Sequence, residues 1–109
     1  MAALSYTGSA IGGAAVTMVA ASAGGDTVPT NPRGALLVKN GDASAHNVTV
    51  VVPGNTTYGQ PQPDVTTSVP AGATLLFGPF PQDLADPADG LVHISYAAVT
   101  SVTVAAITL

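Results

Sequence analysis

Apolar and polar residues alternate with a period of two over several short stretches of the chain, the pattern of half-buried β-strands. The clearest stretch is Gly34–Pro53, GALLVKNGDASAHNVTVVVP. Val48, Val50 and Val52 share one face, and Asn47 and Thr49 share the other with Val51 as the exception. Leu36 and Val38 supply a matching apolar face, while Leu37 and Lys39 point the opposite way. The turn residues between them, Asn40–His46, predict a β-hairpin that joins Gly34–Lys39 to Asn47–Val52. Leu37 and Val51, set among polar residues on the outer faces, ask for a second layer, a second sheet edge or another subunit to cover them.

The flanking segments follow the same logic. Residues 1–13 carry Gly8, Gly12 and Gly13 and read as a flexible arm or an early edge strand. Ala14–Ala21 alternates as a first strand; its rival is an Ala-rich helix over Ala10–Ala23, which the two glycines and the β-branched Val16, Thr17 and Val19 disfavour. Ala23–Pro32 is an irregular crossing. Pro53–Pro63, between strands, is a long loop of the kind that usually makes contacts. Val65–Val69 and Thr74–Phe77, joined by Pro70-Ala71-Gly72-Ala73, predict a second hairpin with Leu75 and Phe77 on one face. Gln82–Pro87 fits a single helical turn. Asp89-Gly90 launches Leu91–Tyr96, with Val92, Ile94 and Tyr96 inward and His93 and Ser95 outward. In Ser101–Leu109 the apolar phase changes between Val104 and Ile107, which predicts a β-bulge at Ala105-Ala106 that turns Ile107 and Leu109 toward the core. The sum is an all-β protein: an antiparallel β-sandwich, immunoglobulin-like or jelly-roll-like, of about seven or eight short strands over residues 25–109, preceded by an arm or edge strand over 1–24.

Composition sharpens this picture. Charged residues are 7% of the chain, against about 25% in an average soluble protein, with one Lys, one Arg and no Glu. Such a surface suits contact with other protein subunits or a packed extracellular particle. Two cations and a net charge of −4 argue against a nucleic-acid partner. Cysteine is absent, so no disulfide or thiolate metal site is expected. The small, apolar start has no basic residue before Arg33 and is broken by glycines, so it reads as mature protein and not as a secretion signal. No run approaches the roughly 20 apolar residues of a membrane-spanning helix.

Candidate chemistry is sparse. An Asp42–His46 pair could hold a metal or polarise Ser44, but reads first as ordinary turn chemistry. Asp83, Asp86 and Asp89 lack the alternate-ligand spacing of a calcium loop. No nucleophile elbow and no phosphate-binding glycine loop occurs. The expectation is a protein that is not an enzyme, with no cofactor, metal or small-molecule substrate, and no membrane or nucleic-acid partner.

Three segments carry a resemblance. Val38–Val52, Val69–Pro81 and Asp89–Leu109 are similar to a "vKNGsassvTVtv" hairpin, a "vpaGgt…GPFp" strand and a closing "DG.V.vsYs…vtVaal.l" pair. The chain from about Gly25 onward thus resembles small β-sandwich virion proteins of tailed bacteriophages, especially phages of actinobacteria. The resemblance implies a head decoration or minor capsid protein, often a trimer, that sits on the capsid surface and clamps neighbouring copies of the major capsid protein. It brings no catalytic residues. The matching expectation is that the N-terminal segment, through Tyr6, and the crossing segment, through Thr30, Asn31 and Arg33, meet neighbours or the shell. In the long loop the expected contacts are Asn55, Tyr58, Gln60 and Gln62. The alternatives are a tail or fibre protein, or a carbohydrate-binding or adhesive sandwich that stacks sugars on exposed tyrosines.

Overall fold

The computed structural model describes residues 2–109; Met1, the first residue of the expected arm, lies outside them. Ten strands form two sheets that pack face to face. They are β1 (Ala2–Ala3), β2 (Thr7–Gly8), β3 (Val19–Ala20), β4 (Asp26–Pro29), β5 (Gly34–Asn40), β6 (His46–Val50), β7 (Val65–Val69), β8 (Thr74–Phe77), β9 (Leu91–Tyr96) and β10 (Val102–Thr108). The first sheet, sheet A, has the order β1-β4-β9-β6-β7. Sheet B has the order β2-β10-β5-β8, and β3 also pairs with β10. Pairing is antiparallel except at β1–β4 and β2–β10. The molecule is a slab with extents of 46 × 34 × 19 Å. The expected antiparallel-dominated β-sandwich is therefore what the chain forms.

Its connections differ from the expected ones. β5 pairs with β10 and β8 in sheet B, and β6 pairs with β7 and β9 in sheet A, so Gly34–Val52 is not a hairpin. The segment 41–45 is an arch that carries the chain across the sandwich. The same holds for β7 to β8 and for β9 to β10; only β2–β3 and β6–β7 stay within one sheet. The physical reason sits in Asn40. Its side chain is fully buried, and its Nδ2 donates to Ser44 O at 2.8 Å and to Val69 O at 3.0 Å, while Oδ1 accepts from Asp42 N at 3.0 Å. Its backbone closes onto the next arch through Asn40 N to Ala73 O and Gly72 N to Asn40 O. One amide thus ties together two arches that lie in different parts of the sequence.

The core fills from both sheets. Val28, Val48, Val50, Val69, Val92 and Ile94 come from sheet A, and Leu36, Val38, Val102, Val104 and Ala106 from sheet B. Phe80 enters just beyond β8, where Asn31 and Phe80 exchange backbone hydrogen bonds. At the margin, Tyr96 Oη donates to Asp26 Oδ2 at 2.8 Å, so the buried carboxylate has a neutral donor. Burial and the adjacent Asp26 push the Tyr96 hydroxyl far above its ordinary pKa.

The N-terminal segment is an edge element. β1 extends sheet A beyond β4, and β2 and β3 lie along the free side of β10, so one segment caps the same edge of both sheets. Tyr6 pins it: its hydroxyl donates to Pro29 O, and its ring lies so close over Gly34 that a Cβ there would sit 2.6 Å from Oη. Residues 9–17 between β2 and β3 are exposed, with Ile11 fully so. The helical alternative for Ala10–Ala23 is not adopted. Gln82–Leu84 forms the expected single turn, of 3-10 type.

Candidate functional site

The two outer faces of the slab have different chemistry. On sheet A, Asn47, Thr49, Thr66, Ser68, His93 and Ser95 point outward, by the alternation that sends Val48, Val50, Val92 and Ile94 inward. Thr49 and Thr66 share a hydrogen bond of 3.0 Å across that face. This is a hydrated polar surface.

On sheet B the alternation places Ala35 and Leu37 of β5, Leu76 of β8, and Ala105 and Ile107 of β10 on the outside, with a polar row, Thr103, Lys39 and Thr74, at one end. Leu37 sits opposite Ala105 on one side and Leu76 on the other, so the apolar residues touch across three adjacent strands. Leu76 is 63% exposed and Leu109 is 82% exposed. The expected bulge at Ala105-Ala106 is absent: β10 pairs with β5 residue for residue from Val102↔Asn40 to Thr108↔Gly34. Val102, Val104 and Ala106 therefore face the core and Ile107 faces outward. The phase change in the sequence is not an irregularity of the strand but a row of apolar residues on its outer side.

This apolar face continues past the sheet. A groove of about 340 Å³ at its lower end is bounded by Arg33, Leu76, Phe77, Pro79, Ile107 and Leu109. On one side it meets a second hollow of about 260 Å³ that Ile107 and Leu109 share with Val16 of the N-terminal segment. On the other it meets a third, of about 270 Å³, where Leu76, Phe77 and Pro79 are joined by Val65 and Leu84. The result is an apolar band that crosses the molecule from the N-terminal strap to the open β7/β8 edge. A band of this extent, exposed at Val16, Val65, Leu76 and Leu109 and half-buried at Leu37 and Ile107, marks a surface that meets other matter than water.

The expected contact residues scatter relative to this band. Arg33 is exposed and borders it. Thr30 and Asn31 are half-buried, and Asn31 is used internally: its Oδ1 accepts from Arg33 N at 2.9 Å. Tyr6 is half-buried against Gly34, with its hydroxyl pKa raised by burial, so it serves the fold. Asn55, Tyr58, Gln60 and Gln62 are together on the β6–β7 loop, away from the apolar band's lining. That loop is a finger closed by its own backbone: Thr56 N to Gln60 O, Gly59 N to Thr56 O and Gln62 N to Gly54 O. Asp64 Oδ1 fastens its base by accepting from Val52 N at 2.9 Å. Tyr58 at its tip is 92% exposed. Leu37, Leu76, Ile107 and Leu109 were not among the expected contacts. The outward position of Leu37 was the available signal, and a regular phase for β10 would have added Ile107.

The titratable groups form two similar pairs. His46 Nε2 lies 2.9 Å from Asp42 Oδ2, and His93 Nε2 lies 2.8 Å from Asp89 Oδ2, each imidazole meeting the aspartate four residues before it. Asp86 Oδ2 stands 3.6 Å from the same His93 nitrogen. The backbone N–H of Ala43, and then His46, lower the Asp42 pKa; the N–H of Leu91 is the leading cause for Asp89, with His93 adding to it. Among the described residues, Asp86, Asp89 and His93 bring their ligand atoms within 4.8 Å of one another, close enough to hold a cation; Asp83 is not in that group. All three are partly open to solvent, and as they stand His93 is hydrogen-bonded to Asp89 with Asp86 beside it.

Comparison of the chain with protein-family models, with curated proteins and with solved structures finds no match.

Proposed function

We propose that this protein is a structural subunit of a virion, a decoration protein that binds the outer surface of a capsid shell through the outer face of sheet B. The observation that carries the reading is the contrast between the two faces. One is a Thr/Ser/Asn surface fit for water, and the other is an apolar band built from Leu37, Leu76, Ile107 and Leu109. A chain with 7% charged residues has few other means of keeping such a band soluble than to bury it against protein. The resemblance of Val38–Val52, Val69–Pro81 and Asp89–Leu109 to decoration-type sandwiches of tailed phages supports the same role, with the major capsid protein as partner. Cryo-electron microscopy of purified particles tests it. Density for this chain on the head shell supports the reading; density in the tail alone, or none in the particle, refutes it.

A second reading rests on a different observation, the self-bonded finger that presents Tyr58. An exposed aromatic on a self-hydrogen-bonded loop is a platform for a sugar face, as in tail, fibre or adhesive modules. Binding to a glycan array that is lost in Tyr58→Ala would favour it over the decoration role.

A further inference from the structure

The rims of the two sheets are treated unequally. On one side the N-terminal segment closes both, laying the short strands β1, β2 and β3 against β4 and β10. On the other, β7 ends sheet A with no strand beside it among the described residues. The bonding of its neighbour β6 shows which main-chain groups of β7 are free. Ala97 N donates to Asn47 O and Val51 N to His93 O, so Asn47, Thr49 and Val51 bond toward β9 while His46, Val48 and Val50 bond toward β7. Their partners Val69, Thr67 and Val65 are thereby used, and the N–H and C=O groups of Thr66 and Ser68 point out of the sheet. Edge strands normally carry a guard: a lysine, a proline, a bulge or a covering element. β7, Val-Thr-Thr-Ser-Val, has no charged residue and no proline, and it pairs with β6 residue for residue without a bulge. The nearest charge, Asp64, is turned back to accept from Val52 N at 2.9 Å.

We infer that β7 is the dimerisation edge of this protein, pairing antiparallel with β7 of a second copy across a two-fold axis at Thr67. The strand reads nearly the same in both directions, which fits it to its own reverse. Val65 meets Val69 of the second copy, Thr66 meets Ser68 and Thr67 meets Thr67. Apolar thus stands opposite apolar at the ends, hydroxyl stands opposite hydroxyl between them, and no charges meet. Thr66 with Ser68, and Ser68 with Thr66, are the pairs that exchange main-chain bonds, and they use the outward groups of both strands. A head-to-tail join has little to grip, because the opposite rim of sheet A is the two-residue β1. The contact is isologous and therefore stops at two copies. It goes beyond the shell contact and uses a different surface, the main-chain rim of sheet A and not the outer face of sheet B. A two-fold axis normal to the sheets keeps the outer faces of sheet B in both copies on the same side, so a dimer can lay both on one shell.

Paired five-residue strands cover less than about 800 Å² per partner, the area of a stable interface, so the dimer is a weak one that the test reaches by concentration. Sedimentation equilibrium of the full chain up to ~500 μM should show a monomer–dimer equilibrium with no larger species. Thr66→Lys/Ser68→Lys sets lysine opposite lysine twice and should weaken dimerisation about tenfold, with unchanged circular dichroism because both side chains are exposed. Thr66→Glu/Ser68→Glu should do the same, and an equimolar mixture of the two variants should dimerise more tightly than either alone. In amide hydrogen exchange, Thr66 and Ser68 of the wild type should slow as concentration rises, while Thr67, already bonded to β6, stays as it is. A wild type that stays monomeric over this range, association that the lysine pair leaves intact, or growth past the dimer overturns the inference. Protection of Thr66 and Ser68 that appears only on particles, in a chain monomeric when free, assigns the edge to the shell and overturns it as well. If the free chain dimerises in this way but is absent from particle heads, the decoration role fails and the edge contact stands; if heads carry it while the free chain is monomeric, the reverse holds.

Discussion

Leu36, Leu37 and Leu76 make the two faces of sheet B separable by experiment. Leu36 is fully buried between the sheets, whereas Leu76 is 63% exposed on the outer side. Burying a whole leucine side chain is worth about 1.5–3 kcal/mol. The 63% of Leu76 still in water leaves about 0.9–1.9 kcal/mol to be gained on docking, a factor of roughly 5 to 25 in affinity. The part of Leu76 already buried is worth about 0.6–1.1 kcal/mol, so Leu76→Ser is expected to lower the unfolding free energy of the isolated domain in urea by only about 1 kcal/mol. The same change should weaken assembly by about that 5- to 25-fold factor, read as occupancy on particles. Leu36→Ala is the control, and should cost about 2–5 kcal/mol of stability through the cavity it leaves. Loss of fold stability in Leu76→Ser without loss of assembly would show that the outer face supports the domain and not a partner, and the reasoning would fail.

Three further outcomes follow from the fold. Asn40→Ala removes three side-chain hydrogen bonds and leaves Val69 O without its amide donor, which should lower stability by about 3–5 kcal/mol in urea unfolding; a change under about 1 kcal/mol would mean that the arches do not depend on it. Asp42 and Asp89 have lowered pKa values in the folded state, so their contribution is complete above the unfolded value near 4 and disappears as pH falls through the folded value. The urea midpoint should drop below about pH 4, and less so in Asp42→Asn/Asp89→Asn. Tyr96 has the opposite sign: its raised folded value keeps it neutral while the unfolded hydroxyl ionises, so stability should decline above about pH 10, by at most about 1.4 kcal/mol per unit. Tyr96→Phe should flatten that alkaline limb, and at pH 7 lose about 1.5–3 kcal/mol for the bond to Asp26.

The sandwich itself was legible because alternation in Leu36–Val38, Val48–Val50 and Val92–Ile94 reports which side chains face a core, whatever the strands pair with. Partner choice was not legible. Asn40-Gly41-Asp42 is turn chemistry that serves a hairpin and an arch equally, and what distinguishes them here is a hydrogen bond from Asn40 to Val69, 29 residues away. The same limit hid the candidate site. Placing Ile107 and Leu109 inward follows from the premise that apolar means buried, and it needs a bulge that β10 does not have. With β10 regular, those residues become the apolar outer face, and Leu37 becomes its centre and not an exception. The expected contacts Tyr6 and Asn31 were polar residues in irregular segments, and the structure uses both to hold the chain to itself.

Hydroxyl-radical footprinting of the free and the assembled protein tests the central claim directly, because it labels side chains in proportion to their exposure. The outer face of sheet B should become protected on assembly, at Leu37, Leu76, Ile107 and Leu109 together, while Val51 and His93 on the sheet A side keep their labelling. Labelling of Leu76 and Leu109 that is the same in both states would contradict the account.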